Sequence, residues 1–380
     1  MNTVKDVFLK FFPKYKEKYK LSAVQAKAST AIINCRTARL GGHAYECEGC
    51  NHSTIRYNSC RNRHCPLCQG VNKEIWVDQR KKDILNAPYF HVVFTMPEQL
   101  HTLIYHNQKL LYNLMYKAIS ETLTELSQDK KYIGAQIGFF SVLHTWGQDL
   151  HYHPHIHTVV LAGGLSEQNQ WCKTSKKFFI PVKVLSKKFR GKFLYYLKQY
   201  YQQKKLKFFK QNRPYKRPEK FQELIDQCYA LNWYSYTKRT FSGPLAVVEY
   251  LGRYTHRIAI SNHRILSINQ DTVTFQVRDY KNNSNKNTVT MNGVEFIRRF
   301  LMHILPKRFV KIRHFGILAN RNRKTKLALC RRLTKSPIYK PKFEGLKPFE
   351  IISILRKIDV TLCPNCKKDH MKPTYSFRVP

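Results

Sequence analysis

The sequence predicts an α+β chain in which a cysteine-rich module precedes an antiparallel sheet interrupted by basic helical segments. Two CxxC pairs, Cys47–Cys50 and Cys65–Cys68, lie fourteen residues apart. Tyr-Phe-His-Val-Val-Phe-Thr-Met at 89–96 is a β-branched and aromatic run bracketed by Pro88 and Pro97, the composition of a buried strand. Two more such runs, 138–147 and 154–162, are joined by a short turn near Asp149–Tyr152 and read as a hairpin.

Taken in order, residues 1–42 read as helical and basic, with an amphipathic helix over 21–40 stopped by Gly41-Gly42. Residues 43–70 form the metal-binding module. Residues 71–181 begin the core, with helices over 72–85 and 100–126 around the 89–96 strand and then the hairpin. Residues 182–240 are a basic aromatic insertion. Between Lys187 and Lys210, Arg190, Lys192, Lys198, Lys204, Lys205 and Lys207 alternate with Phe193, Tyr195, Tyr196, Tyr200 and Tyr201. That pattern suits a groove for stacked bases and neutralised phosphates, and equally an amphipathic helix that buries its rings. Residues 241–330 complete the core, and 331–380 read as a basic tail ending in Cys363-Pro-Asn-Cys366.

The charge selects the partner class. With 67 Lys+Arg against 24 Asp+Glu, the formal charge is +43, the footprint of a protein that binds a polyanion such as DNA. No apolar run approaches the roughly 18 residues of a membrane span, and the opening residues lack the apolar stretch of a signal peptide. The expectation is a cytoplasmic, nucleoid-associated protein without a membrane partner.

In that compartment the eleven cysteines are not a disulfide framework, and the six that lie in CxxC pairs read as metal ligands. Cys47, Cys50, Cys65 and Cys68 have the two-knuckle spacing of one tetrahedral structural Zn²⁺ site. Cys60 and His64, with His43 and His52 nearby, offer material for a second site, and Cys363, Cys366 and His370 for a C-terminal one. Cys35, Cys172, Cys228 and Cys330 read as packing residues. Between the knuckles, Arg61 and Arg63 suit phosphate contacts.

The hairpin carries the chemistry. On a strand, His155 and His157 share one face while Ile156 turns into the core. A turn centred between Leu150 and His151 sets His144 opposite His157, with Cβ atoms about 5 Å apart. His144 is therefore the expected third metal ligand, with Gln148 and Glu249 as substitutes. A hundred residues on, Tyr250-Leu-Gly-Arg-Tyr254 places two phenols at i, i+4. Ser242-Gly243-Pro244 is a helix start, and Leu245, Val248 and Leu251 can bury one side of that helix. Arg253 and Arg257 flank the tyrosine face and suit a phosphate clamp. A divalent metal beside a tyrosine hydroxyl is what cutting and rejoining a phosphodiester through a covalent intermediate requires.

These residues resemble the insertion-sequence-91 family of rolling-circle transposases. The matching stretches are His43-Ala-Tyr-Glu-Cys47 through Cys60-Arg-Asn-Arg-His-Cys-Pro66, Phe90-His-Val-Val-Phe-Thr-Met-Pro97, Leu143-His-Thr-Trp-Gly147, His153-Pro-His-Ile-His157, Tyr250-Leu-Gly-Arg-Tyr-Thr-His256, Ile258–Asn262 and Glu295–Arg299. The resemblance implies a ferredoxin-like antiparallel-sheet nuclease core behind a zinc module. It implies Tyr250 and Tyr254 as nucleophiles and His155 and His157 as the Mg²⁺ or Mn²⁺ pair. Its substrates would be single-stranded transposon ends and target DNA. A plasmid replication initiator or relaxase shares this chemistry, and a non-catalytic zinc-module binder of nucleic acid is the further alternative.

Overall fold

Strand-forming runs far apart in sequence meet in one antiparallel sheet. The structure, a computed structural model, describes residues 2–174, 180–239, 252, 259–279 and 285–377. The first helices are α1 (Val4–Lys18) and α2 (Ala23–Asn34), so the helix expected over 21–40 ends at Asn34. Each opens on a capping box, Thr3 with Asp6 and Ser22 with Gln25, which satisfies amides that the first turn leaves without carbonyl partners. Then come β1 (Gly42–Cys47), β2 (Ser53–Tyr57), α3 (Gln69–Lys81), β3 (Tyr89–Thr95), α4 (His101–His106), α5 (Gln108–Gln128), β4 (Gln136–Trp146), β5 (Tyr152–Leu165) and β6 (Trp171–Lys173). The insertion contributes α6 (Val182–Gln202), α7 (Pro218–Ala230) and β7 (Ser235–Arg239). Beyond it lie β8 (Ile265–Ile268), β9 (Thr272–Asp279), β10 (Asn285–Asn292), α8 (Gly293–Met302), β11 (Ile312–Gly316), α9 (Ala328–Leu333), α10 (Pro348–Arg356) and β12 (Met371–Phe377).

The main sheet runs β11-β4-β5-β3-β7, with β6 added beside β5. Alternation along its strands divides it into two chemically distinct faces. Phe90, Val92 and Phe94 of β3, Ile156 and Val160 of β5, and Phe139 and Leu143 of β4 project to one side. There they pack against Leu111, Met115 and Ile119 of α5 and Leu185, Phe189 and Phe193 of α6. The opposite face carries His144, His155 and His157.

This arrangement decides between the two readings of the aromatic insertion. Phe189, Phe193, Leu194 and Leu197 of α6 are core, and Lys192 is spent on Glu121 and Glu125 of α5. A run of exposed cations follows α6, among them Lys204, Lys205, Lys207, Lys210, Arg213, Lys216 and Arg217.

A second core joins Val7, Phe8 and Phe11 of α1 to Phe296 and Phe300 of α8 and to Phe275 of β9, in the sheet β10-β9-β8. A third sheet, the three strands β12-β1-β2, corrects the expectation of a C-terminal tail. β12 pairs along the whole of β1, from Gly42 with Phe377 to Cys47 with Met371. Both strands bring backbone donors and acceptors that need partners, so residues 371–377 complete the module that residues 42–57 begin. No helix among the described residues is long and apolar enough to cross a membrane.

Two histidines, one buried and one half-buried, give the fold a pH dependence. The His303 Nε2 donates to the Leu150 carbonyl at 3.1 Å, and its Nδ1 accepts from the Thr145 hydroxyl. His314 lies over Phe140, with Arg80 and Arg323 near it. Burial holds both down to about 4, below the roughly 6.5 of an unfolded histidine. Between those values the unfolded chain binds more protons, so stability is complete above pH 6.5 and falls as the pH drops toward 4. Urea midpoints measured across that window are expected to decline, and His314→Phe to make the slope shallower.

Candidate active site

The β4–β5 hairpin closes on Gly147 and His151, whose amide and carbonyl pair at 3.0 Å, with Leu150 at φ 66° between them. The turn therefore centres on Asp149, earlier than expected, and the register moves by two. His144 stands opposite His155, and His157 opposite Val142. A shift of two preserves the face of every side chain, whereas a shift of one would reverse it. The three imidazoles still converge. Ring centroids are 5.5 Å apart for His144 and His155, 4.6 Å for His144 and His157, and 4.9 Å for His155 and His157. One nitrogen from each lies within 4.8 Å of the others.

Neighbouring groups decide which nitrogens point inward. The His155 Nδ1 donates to the His153 carbonyl at 2.7 Å, which leaves Nε2 free. The His157 Nδ1 is 2.9 Å from the Nε2 of His91 on β3, and the two rings stack. Such outer bonds fix the tautomer and aim of a metal ligand. The sequence reading missed His91, taking the 89–96 run as core throughout. The signal was its parity, because Thr95 pairs with His155 and Val93 with His157 on the same face. Burial pushes His155 and His91 down to about 4, and His157 well below the usual range, with neighbouring histidines adding to the effect. All three are neutral near pH 7, the state that ligates a metal. The donors in this cluster are nitrogens alone. Among the described residues no carboxylate joins them, a set suited to a first-row transition ion more than to oxygen-seeking Mg²⁺.

The four knuckle cysteines do not share a centre. Cys65 and Cys68 gather with Cys35 and Cys60, and Cys47 and Cys50 with Cys363 and Cys366. Cys68 Sγ lies 3.5 Å from Cys35 Sγ and 3.6 Å from Cys60 Sγ, while Cys47–Cys366 and Cys50–Cys363 measure 3.7 and 3.6 Å. Sulfurs about 2.3 Å from a tetrahedral Zn²⁺ stand about 3.8 Å apart, so both cages have the size zinc needs. The division follows from the strands. The five residues of β2 carry the chain away from the first knuckle by about 17 Å, and the second knuckle starts α3 beside Cys35 at the end of α2.

Cys35 is thus a cage residue rather than packing, and the C-terminal pair completes the first knuckle instead of forming its own site with His370. The His370 ring bonds Thr361 at 2.8 Å. Cys60, set aside for a second site, stands instead with the second knuckle, and His64 does not join it, since its Nε2 accepts the Leu305 amide at 3.1 Å. Cys228 and Cys330 are buried in apolar clusters. The Asn365 amide beside Cys50 helps hold that thiol down to about 6, toward the thiolate a metal binds.

Arg61, between Cys60 and Cys65 of the second cage, is exposed, whereas Arg63 donates to the Phe309 carbonyl at 2.7 Å and ties the cysteine module to the core. Tyr250, Arg253, Tyr254, Arg257 and Glu249 lie outside the described residues. Gly252, between the two tyrosines, is helical and buried. A Cβ on it would stand 2.2 Å from Cγ2 of Val77 in α3. Val77 packs with Phe140 and Val159, on the face of the sheet that carries the histidines. Gly252→Ala is expected to cost roughly 1–3 kcal/mol of stability. Val77→Ala in the same chain should recover most of that loss, which thermal melts of the two single variants and the double variant would show.

Comparison with known proteins agrees with this division of labour. Residues 7–96 match the family described as "Transposase zinc-binding domain", and residues 138–326 the family described as "Putative transposase". The chain is 41% identical over 373 residues to "Putative transposase y4qJ" of Sinorhizobium fredii, covering 97% of this chain and 94% of that protein. It is 27% identical over 307 residues to "Transposase for insertion sequence element IS801" of Pseudomonas savastanoi pv. phaseolicola, covering 79% and 72%. No solved structure matches. A cysteine module with two zinc-sized cages, a histidine-bearing sheet and near full-length similarity to a transposase lead to one assignment: the chain belongs to the insertion-sequence-91 family of transposases.

Proposed function

We propose that this transposase nicks and rejoins single-stranded DNA at transposon ends through a 5′-phosphotyrosine intermediate, as rolling-circle transposition requires. The observation that carries the reading is the convergence of His144, His155 and His157 within 4.8 Å on the face of the sheet away from α5 and α6. The strand order β7-β3-β5-β4, with helices between β3 and β4 and between β5 and β7, supports a ferredoxin-like nuclease core. The packing of Gly252 against Val77 supports placing the tyrosine segment on the histidine side.

His144, His155 and His157 would hold the divalent ion, aimed by His91 and the His153 carbonyl. Bound there, the ion supplies Lewis-acid stabilisation of charge on the scissile phosphate. A phenol near pKa 10 is a weak nucleophile at neutral pH, and Arg253 and Arg257 would add stabilisation of the developing charge. The hydroxyl oxygen of Tyr250 or Tyr254 attacks phosphorus and gives up its proton. The bond from phosphorus to the 3′ oxygen breaks, that oxygen takes a proton, and the 5′ phosphate stays esterified to tyrosine. Attack by a new 3′-hydroxyl reverses the exchange without ATP, because one phosphoester replaces another. The second tyrosine would cut another strand while the first holds its DNA. The zinc module, with Arg61, and the cations beyond α6 would recognise the element's ends.

The test uses single-stranded DNA that carries the element's ends, labelled 3′ to the cut, incubated with Mn²⁺ or EDTA and run on a denaturing gel. A metal-dependent shift of label to protein mobility is expected, lost in the Tyr250→Phe, Tyr254→Phe double variant. Binding of the ends without an adduct in Mn²⁺ would overturn the nuclease reading in favour of a non-catalytic DNA binder.

A further inference from the structure

The edge strand β7 and the residues leading into it carry aromatic rings that folding leaves uncovered. The alternation is strict. Trp233 and Ser235 are 4% and 6% exposed and face α6, where the Trp233 ring packs on Phe189 and Phe193. Tyr234 and Tyr236, on the other side, are 64% and 39% exposed. Register ties that side to the histidines. Tyr236 pairs with Val93, and Val93 with His157, so all three project from the same face. The Tyr236 ring centroid is 6.4 Å from that of His91, the residue that bonds His157. The amide of Thr95 donates to the Tyr234 carbonyl, which extends the same pairing, and the exposed Lys238 continues the stripe opposite His91.

Burying neither ring forgoes the stabilisation an aromatic ordinarily contributes to a core, while no other group among the described residues stacks on Tyr234. In a chain of charge +43, two open rings beside a lysine match one ligand chemistry, unpaired bases on a polyanionic backbone. β7 and β5 are two strand spacings apart, about 10 Å. A nucleotide next to a phosphate held at the histidines can therefore lie over Tyr236.

We propose that Tyr234 and Tyr236 form a base-stacking platform that holds single-stranded DNA beside the histidine cluster. The proposal rests on the reading of that face as the DNA face. It explains how the site would favour single strands, since paired bases do not offer their ring faces to a side chain. It also makes the platform tolerant of sequence, because every base has a face to stack.

The experiment measures fluorescence anisotropy of the full chain with an oligothymidylate and with an abasic oligonucleotide of equal length, in EDTA so that no cutting occurs. The wild-type chain is expected to bind the base-bearing strand at least about tenfold more tightly than the abasic one. Tyr234→Ala, Tyr236→Ala should bring that ratio close to one without changing abasic affinity, while phenylalanine at both positions keeps it. A ratio near one in the wild-type chain, or a ratio that survives the double alanine variant, overturns the platform. If the ratio behaves as expected and no phosphotyrosine adduct forms with Mn²⁺, the nuclease chemistry fails and the platform stands.

Discussion

Protein purified with its metal is expected to contain two zinc ions per chain, and Cys35→Ser to remove one of them as fully as Cys65→Ser does. Cys363→Ser should remove the other, although Cys35 and Cys363 lie in regions of sequence that share no knuckle. The effect on folding should be large, because a structural zinc contributes on the order of 10 kcal/mol or more to the state that holds it. Chelation should release the pairing of β12 with β1, read as lost amide-exchange protection over 42–47 and 371–377. A single knuckle site of Cys47, Cys50, Cys65 and Cys68 predicts something different: one zinc, unaffected by Cys35→Ser or Cys363→Ser. Metal analysis of these variants decides between the two arrangements.

The second large effect concerns the histidines. Alanine at His155 or His157 is expected to reduce adduct formation by roughly a thousandfold, the loss of about 4 kcal/mol of transition-state stabilisation. His144→Ala should act similarly, since its ring is as near His157 as His155 is. His91→Ala should behave differently. It leaves the three ligands in place but frees the His157 ring, so apparent Mn²⁺ affinity should drop about 10- to 100-fold. Raising Mn²⁺ should then restore the rate. Quantifying adduct against Mn²⁺ concentration separates the two classes. Equal loss for His91→Ala at saturating Mn²⁺ would make His91 a participant rather than a support.

These distinctions show what local sequence could and could not carry. The face shared by His144, His155 and His157 was legible because strand parity survives an error of two in register. The register itself was not, since it depends on whether the turn centres on Asp149 or a residue and a half later. The cages were legible as cysteine pairs but not as groups. Spacing says which two thiols are near each other, whereas the partner pair is set by tertiary structure, and Cys50 meets Cys363 across 313 positions. Cys35, without a nearby cysteine, gave no local signal at all. His91 was hidden for the opposite reason, in a run apolar enough to read as core on both faces. The basic α6 was ambiguous until packing showed which of its faces meets the sheet.

The return of residues 371–377 to pair with 42–47 also sets an order of events in synthesis. While the chain is being made, β1 and the first knuckle emerge early and then wait, half-ligated, for more than three hundred further residues. The intervening core, with its hairpin and helices, can form in that interval and bring the two ends together, which spares much of the entropy of closing so long a loop. The last cage is therefore assembled after the core it serves, and a copy that stops short of Cys366 has an incomplete metal site. Refolding from denaturant should show the same sequence, with β12 gaining protection only after the main sheet has formed.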